Sequence, residues 1–277
     1  MNLDSYFHRI GYKGSRAPTA ETLAAIHTHH ASAIPFENFD VLLGRGIKID
    51  PAAIARKLID ERRGGYCFEQ NSLLADVLRA LGYRVTPMLA RVRWKVPIET
   101  PTALTHLVLR VECDAGPFLA DVGFGSMSLY RPLVFEYDTS QQVSLEKRRL
   151  ILRPSPVFPD MPPQQVIVHQ AQIGAEWLDV YHFTGEPAAS VDAELGNWFT
   201  SCHAQSRFKQ NVVAARTEET YRCTLLNRDL KIRHRDGRVI ERAIQSPAEM
   251  LEVLEEYFLL SFPAGTRFEA PELVWPA

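Results

Sequence analysis

The sequence is poor in the features that mark secreted, membrane-spanning and disulfide-stabilised proteins. It has four cysteines in 277 residues and no C-x-x-C pair, so a disulfide framework is not expected. Residues 1–9 carry no apolar signal core, and no stretch approaches the length of a membrane-spanning helix. The low cysteine content and the lack of a signal core or membrane-spanning stretch predict a soluble protein of the cytoplasm with free thiols.

An excess of one charge is also missing, as are glycine-rich phosphate loops and internal repeats. The 31 Lys and Arg residues are balanced by 33 Asp and Glu residues without a basic tract, which argues against a nucleic-acid partner. Neither a Walker sequence nor G-x-G-x-x-G after a strand occurs, so scattered Arg and Lys side chains would have to hold any nucleotide phosphates. The sequence contains no signal for an oligomeric state.

Soft metal ligands cluster at two places, but neither cluster has the partners of a metal site. One is Cys202-His203, and the other contains His27, His29 and His30. A zinc site needs further ligands at a defined spacing, and none follows either cluster. We therefore predict no bound metal, and we place His27 and His30 on a polar helix face.

One cysteine occupies a position that favours reactivity. Cys67 follows Gly64 and Gly65 and begins a run in which apolar residues recur at helical spacing as far as Gly82. We interpret the paired glycines as the end of one helix and a close approach of backbones, with Cys67 in the first turn of the next helix. There the helix dipole favours the thiolate, which is the nucleophilic form. A small buried thiol without a chemical role is the alternative.

Two polar residues interrupt apolar strands downstream of Cys67. His106 lies within the apolar segment 104–111, Asp121 ends another, and a turn at 114–117 would make the two strands neighbours. A buried imidazole and a buried carboxylate each need a partner, and each can supply it to the other. Either residue alone is consistent with a structural role. The order Cys, His, Asp nevertheless suits a triad in which the base takes the thiol proton and the acid orients the base.

These residues stand in longer motifs that resemble the signature of the arylamine N-acetyltransferase family, in its bacterial form. The segment RGGYCFE at 63–69 resembles the nucleophile motif. Thr105-His106 and DVGFG at 121–125 resemble the segments with the base and the acid. The segment IPFENFD at 34–40 and the segment 197–208 resemble two further stretches of the family.

The resemblance implies an acetyltransferase that uses acetyl-coenzyme A and acts on arylamines, arylhydrazines or arylhydroxylamines, as in xenobiotic metabolism. Cys67 would be acetylated first, coenzyme A would leave, and the acceptor would then attack the thioester, which is a ping-pong mechanism. His106 and Asp121 would complete the triad, with Cys67 and His106 resting as thiolate and imidazolium. The resemblance calls for no metal, and it leaves the residues that contact coenzyme A unassigned.

Aromatic residues beside these motifs are candidates for the acceptor pocket. Phe36, Phe124 and Phe199 match positions that resemble the family's pocket, where stacking and apolar contact would hold a planar aniline ring. Ordinary core packing is the alternative for each of the three. For Phe68 we predict packing within its own helix.

Arg63 precedes the paired glycines and has two interpretations. It either faces the cleft as a cation or pairs with an acid, Glu37 or Glu69, and so braces the nucleophile motif. We favour the pairing. Backbone N–H groups near Cys67 are expected to form the oxyanion hole, although the sequence does not identify them.

The predicted secondary structure changes along the chain from helices to strands and then to a mixture of both, which predicts an α+β fold of three domains. The Cys-His-Asp residues add the expectation of a core like that of cysteine proteases. Residues 1–85 are predicted to form a helical bundle with the nucleophile, 86–195 a β-barrel or sandwich with the base and acid, and 196–277 an α/β lid. The proline-rich segments 154–156 and 159–163 are predicted to form a surface loop. Strands are predicted at 83–93, 104–112, 117–123, 148–153, 165–173, 176–183, 221–226 and 238–244, and helix starts at Thr19, Asp50-Pro51 and Ser246-Pro247.

Two other functions are compatible with the same residues. A papain-like or transglutaminase-like thiol hydrolase, or an amide-forming enzyme, also uses a Cys-His-Asp order. A pocket lined by Phe36, Phe124 and Phe199 would exclude peptide chains and favour small aromatic amines, whereas an open groove would favour the hydrolase. The other alternative is a binding module for coenzyme A or another small molecule, with an inert cysteine.

Overall fold

The structure is a computed structural model that describes residues 2–155 and 164–276. The predicted loop at 156 and 159–163 lies outside the described residues, so that prediction stays open. No helix in the described parts of the chain is long and apolar enough to cross a membrane.

Eight α-helices are found in the described residues, and most of the N-terminal ones begin where the sequence provides a cap. Thr19 accepts a hydrogen bond from the N–H of Thr22, and Asp50 accepts one from Ala53 with Pro51 in the first turn. These starts confirm the prediction, as does the helix start at Ser246. The helices are α1 Leu3–Ile10, α2 Ala20–Ala33, α3 Phe39–Leu42, α4 Pro51–Ala55 continued by a π-helical turn Arg56–Asp60, α5 Cys67–Ala80, α6 Ser190–Cys202, α7 Arg207–Gln210 and α8 Pro247–Phe258.

Seven antiparallel strands from the middle of the chain form one sheet, in the order β5-β4-β3-β2-β8-β7-β6. Bridges from Tyr137 to Leu150 and from Gln141 to Arg148 connect the chain after β5 with β6 at the opposite edge. The sheet is therefore a nearly closed barrel, and its interior is filled by apolar side chains such as Met88. The strands are β2 Arg84–Val92, β3 Leu104–Cys113, β4 Gly116–Ala120, β5 Leu133–Val134, β6 Arg148–Pro154, β7 Gln165–Ile173 and β8 Glu176–Phe183.

The hairpin between β3 and β4 confirms that the two strands predicted to carry the base and acid are neighbours. Cys113 pairs with Gly116 across a two-residue turn, and Gly116 has a φ of 100°, which favours glycine. The predicted strand 117–123 is too long, because β4 ends at Ala120 and Asp121 is the first residue beyond it. Asp121 therefore lies outside the strand ladder, just beyond the end of β4.

A second, five-stranded antiparallel sheet has the order β1-β9-β10-β11-β12 and packs on α8. Its edge strand β1 comes from the N-terminal segment, so the prediction of an all-helical stretch over 1–85 is wrong at this point. Two residues are too few to show an alternating pattern, which is why the sequence did not reveal this strand. The strands are β1 Phe36–Glu37, β9 Val213–Thr217, β10 Tyr221–Leu226, β11 Asp229–His234 and β12 Val239–Ala243.

The helices, the barrel and the second sheet meet at one small apolar cluster. It joins the start of α5 to β3 of the barrel and to β9 of the second sheet. The cluster consists of Phe36, Tyr66, Cys67, Phe68, Leu107 and Ala215. Phe68 is fully buried in this cluster, so it packs against other elements and not only within its own helix. The nucleophile of the candidate site therefore lies where all three parts of the fold are in contact.

Candidate active site

Cys67 is the first residue of α5, as the sequence predicts. The N–H of Tyr66, just before the helix, donates to the Glu69 carboxylate at 3.0 Å, which caps the helix start. The Cys67 side chain is almost fully buried, and its sulfur lies 3.5 Å from the carbonyl oxygen of Thr105. The sulfur thus lies at the positive end of the dipole of α5.

His106 and Asp121 lie side by side beneath the thiol. The distance between His106 Nε2 and Asp121 Oδ2 is 2.9 Å, and both side chains are almost completely buried. Burial alone would lower the pKa of His106, but the charge of Asp121, its hydrogen bond and the nearby Cys67 sulfur raise that pKa to about 10. The imidazole therefore keeps its proton at neutral pH. A buried imidazole held by a carboxylate beside a cysteine sulfur is the arrangement expected of a base and its nucleophile.

The Asp121 carboxylate is held by three partners. His106 binds one oxygen. The other oxygen accepts hydrogen bonds from the side-chain amide of Asn71, at 2.9 Å, and from the N–H of Gly123, at 3.0 Å. Burial raises the pKa of Asp121, yet His106, Asn71 and Gly123 together lower it to about 2. Sequence reasoning missed Asn71. Its position four residues after Cys67, on the same side of the helix, was the available signal.

A β-bulge lies next to His106 in β3. Ala90 pairs with His106 and the next residue, Arg91, pairs with Leu104, so Thr105 is an extra residue in β3. Its carbonyl is the group that the Cys67 sulfur contacts. The simple alternation expected over 104–111 is therefore interrupted at Thr105, next to His106.

The glycines of the motifs allow close backbone approach, but the paired glycines do not end a helix. The preceding helical turn ends at Asp60, and the left-handed residue after it is Arg62, with a φ of 52°. The interpretation of Gly64 as helix termination is thus wrong, whereas its close approach to the Pro35 carbonyl is confirmed. A Cβ on Gly123 would lie 2.6 Å from the Cα of Cys67. The loop after Asp121 therefore requires glycine to reach the nucleophile.

Two of the three predicted pocket phenylalanines lie near Cys67 or His106. The Phe124 ring is half-buried and meets the His106 ring edge to face, with ring centroids 5.0 Å apart. Phe36 belongs to the same apolar cluster as Cys67. Phe199 lies on α6, and its ring stacks on His203, just beyond the end of that helix, with centroids 4.5 Å apart. Tyr181 of β8, which sequence reasoning missed, packs on His106 at 4.9 Å.

Arg63 braces the nucleophile motif through buried ion pairs. It binds Glu37 at 2.8 Å, as predicted, and also Asp40 at 3.2 Å. The alternative partner, Glu69, binds Lys57 instead, at 2.7 Å. Burial raises the pKa of Glu69 to about 7, despite the opposing effect of Lys57. The prediction that Arg63 pairs with an acid is confirmed, and Lys57 is a member of this ion cluster that the sequence did not reveal.

His27 and His30 contradict the sequence prediction, because both are fully buried. With Leu23 and Ile26 they follow the spacing i, i+3, i+4 and i+7, which is the buried stripe of α2. Their polar character led to the wrong assignment. All four cysteines are free thiols, and the described residues contain no group of three or more His, Cys, Asp or Glu side chains that could hold a metal ion.

Comparison with known proteins agrees with this geometry. A family model described as N-acetyltransferase matches residues 19–266. The arylamine N-acetyltransferase of Mycobacterium tuberculosis is 36% identical over 262 residues, which cover 93% of this chain and 89% of that protein. An enzyme of Salmonella typhimurium named arylamine N-acetyltransferase / N-hydroxyarylamine O-acetyltransferase is 32% identical over 258 residues, which cover 92% of this chain and 88% of that protein.

Solved structures show the same fold. The Mycobacterium marinum arylamine N-acetyltransferase in complex with CoA is 37% identical, with a TM-score of 0.84, and the match covers 92% of this chain and 91% of that one. The Nocardia farcinica arylamine N-acetyltransferase has a TM-score of 0.86 at 33% identity, with 95% and 90% of the two chains covered. The chain therefore belongs to the arylamine N-acetyltransferase family.

Proposed function

We propose that this protein transfers the acetyl group of acetyl-coenzyme A to the nitrogen of an arylamine or arylhydrazine, or to the oxygen of an arylhydroxylamine, through a thioester on Cys67. The observation that carries the proposal is the position of His106, which lies 2.9 Å from the Asp121 carboxylate and next to the sulfur of Cys67. Family membership and the CoA complex of the M. marinum relative support acetyl-coenzyme A as the co-substrate.

In the first half-reaction the Cys67 thiolate attacks the carbonyl carbon of acetyl-coenzyme A. The carbon–sulfur bond to coenzyme A breaks, and its thiolate leaves with the proton held by His106. The products are acetyl-Cys67, free coenzyme A and a neutral imidazole. Asn71 and Gly123 fix Asp121, which keeps the His106 ring oriented while the charge of that ring changes.

In the second half-reaction the acceptor nitrogen attacks the thioester carbonyl on Cys67. His106 removes the proton that the nitrogen loses, and the Cys67 thiolate departs, which restores the starting ion pair. The half-buried Phe124 ring, next to His106, is the proposed contact for the acceptor ring, and Phe36 lines the same cluster. Phe199 remains a proposed pocket residue on the family resemblance alone.

The three-part layout predicted from the sequence belongs to the same proposal. Residues 1–85 would supply the nucleophile, 86–195 the base and acid, and 196–277 the lid, with a Cys-His-Asp core like that of cysteine proteases. The observation in support is that α5, β3 and β9 share the cluster around Cys67. Because a thiolate nucleophile must stay reduced, we place the reaction in the cytoplasm.

Steady-state kinetics of coenzyme A release test the proposed function. With an aniline as acceptor, double-reciprocal plots at several acetyl-coenzyme A concentrations are expected to be parallel, because the first product leaves before the acceptor reacts. Intersecting lines would contradict a thioester intermediate. Continuous coenzyme A release without amine, or cleavage of a peptide substrate, would favour the thiol hydrolase.

Two cysteine variants serve as a matched pair in that assay. Cys67→Ser should lower kcat by about a thousandfold or more, because a hydroxyl is a poorer nucleophile and is not ionised by His106. Cys202→Ser changes an exposed thiol on α6 and should leave kcat unchanged. Equal losses in both variants would show that thiol loss, rather than the position of Cys67, causes the effect.

A further inference from the structure

Two buried histidines of α2 connect separate parts of the triad, although neither takes part in the proposed chemistry. His27 and His30 are one helical turn apart and have no solvent exposure. All four of their ring nitrogens have hydrogen-bond partners. An apolar side chain would fill this buried stripe without the cost of burying an imidazole, so the polar contacts require an explanation.

His27 holds the backbone of the triad acid. The N–H of Asp121 donates to His27 Nε2 at 3.2 Å, so Nε2 must be the unprotonated nitrogen. Nδ1 then carries the proton and donates to the carbonyl oxygen of Tyr130, also at 3.2 Å. A single neutral tautomer satisfies both contacts. Asp121 is therefore fixed through its main chain by His27 and through its carboxylate by Asn71 and His106.

His30 holds the turn that carries the nucleophile. The side-chain amide of Gln70, in the first turn of α5, donates to the carbonyl oxygens of Pro35 and Gly65 at 2.9 and 3.1 Å. Its oxygen is left to accept from His30 Nε2 at 2.8 Å, and the Tyr6 hydroxyl donates to His30 Nδ1 at 2.9 Å. His30 thus adopts the opposite neutral tautomer and anchors the helix start.

We propose that His27 and His30 are positioning residues of the triad, which hold the acid and the nucleophile helix at a fixed separation from one face of α2. The inference rests on the proposed function, since the geometry it protects is that of acetyl transfer to Cys67. Catalytic groups lose rate steeply when they move by a fraction of an ångström to an ångström. A rigid helix that contacts both the Asp121 main chain and the Gln70 side chain prevents such movement.

Paired substitutions at each histidine separate positioning from packing. His27→Leu fills the space but removes both hydrogen bonds, whereas His27→Gln supplies one acceptor for Asp121 and one donor for Tyr130. The same logic applies to His30→Leu and His30→Gln. Two rates are measured: acetylation of Cys67 by acetyl-coenzyme A without acceptor, and alkylation of Cys67 by iodoacetamide across pH. Leu23→Ala, in the same helix and fully buried, is the control for lost stability.

In the Leu variants, acetylation of Cys67 should be at least about tenfold slower, and the alkylation rate near pH 6 should fall relative to that near pH 9. In the Gln variants, both rates should stay within about threefold of the wild-type rates. Wild-type rates in both Leu variants would overturn the proposal, as would an equal change of the pH profile in Leu23→Ala. If wild-type Cys67 accepts no acetyl group, the proposed function fails, and the alkylation profiles still decide whether the histidines position the triad.

Discussion

At the scale of single residues, the site holds two neighbouring groups of opposite charge, His106 and Asp121. His106 keeps its proton because Asp121 lies 2.9 Å away, and Asp121 stays ionised because His106, Asn71 and Gly123 offset its burial. The result is a buried ion pair beside the Cys67 sulfur.

Asp121→Asn should test the charge rather than the shape of the acid. The amide keeps the size of the carboxylate but removes the negative charge that raises the pKa of His106. We expect the rate of Cys67 acetylation, measured by stopped-flow mixing with acetyl-coenzyme A, to fall by a factor on the order of 10² to 10⁴.

Asp114→Asn is the matched control, because Asp114 lies exposed in the turn between β3 and β4. It should acetylate at the wild-type rate. An Asp121→Asn enzyme as fast as this control would show that His106 does not depend on the carboxylate.

Phe124→Leu should affect the acceptor more than the donor. The ring lies against His106, where an acceptor ring would stack, so its loss is expected to raise the KM for arylamines about tenfold and that for acetyl-coenzyme A by less than about twofold. Phe135→Leu, a half-buried residue packed against the same barrel core, should change neither KM. Parallel increases in both constants for Phe124→Leu would indicate general destabilisation.

At the scale of elements, Glu69 ties the start of α5 to an ion cluster. Arg63→Met removes the buried one of the two cations that pair with Glu37 and Asp40, the other being the half-buried Lys57. We expect the free energy of unfolding, measured in urea, to decrease by about 3–5 kcal/mol. Arg45→Met, which removes a pair with Asp40 whose arginine is 59% exposed, should cost about 1 kcal/mol or less. Similar losses in the two variants would show that the buried pairs contribute no more than an exposed one.

The two histidines of α2 should make the fold sensitive to acid. Burial lowers the pKa of His27 to about 4 and that of His30 to about 3, whereas the unfolded chain protonates its histidines near pH 6.5. Between these values the unfolded state binds more protons, so stability is lost as the pH falls from about 6.5 to about 4, by up to about 1.4 kcal/mol per pH unit for each histidine.

Urea unfolding at several pH values checks this linkage. The doubly substituted protein His27→Gln with His30→Gln keeps uncharged partners at both positions and should show a shallower loss of stability over that range. The same slope in wild type and in the double variant would mean that neither histidine is forced to stay neutral by the fold.

Individual elements were largely predictable because their signals are local. The starts of α2 and α4 follow from Thr19, Asp50 and Pro51, and the β3–β4 hairpin follows from the turn at 114–117. The two-residue strand β1 and the bulge at Thr105 were not predictable, since both depend on a partner strand distant in sequence. His27 and His30 were assigned to the wrong face because their partners, Asp121 and Gln70, become visible only in three dimensions.

At the scale of the whole molecule, the candidate site is assembled from all three parts of the fold. Cys67 comes from the helical segment, His106 and Asp121 from the barrel, and β9 of the second sheet closes the cluster around the thiol. The order Cys, His, Asp could be read from the sequence, and the i+4 spacing from Cys67 could have indicated Asn71. Tyr181 and Lys57 could not be predicted, because their partners are distant in sequence.

The most direct measurement of the central claim is intact-protein mass spectrometry after mixing with acetyl-coenzyme A in the absence of an acceptor, followed by peptide mapping. We predict one acetyl group on the peptide that contains Cys67, none on the exposed Cys202, and loss of that group when an arylamine is added. An acetyl group on another residue, or an unmodified protein that nevertheless acetylates arylamines, would contradict transfer through Cys67.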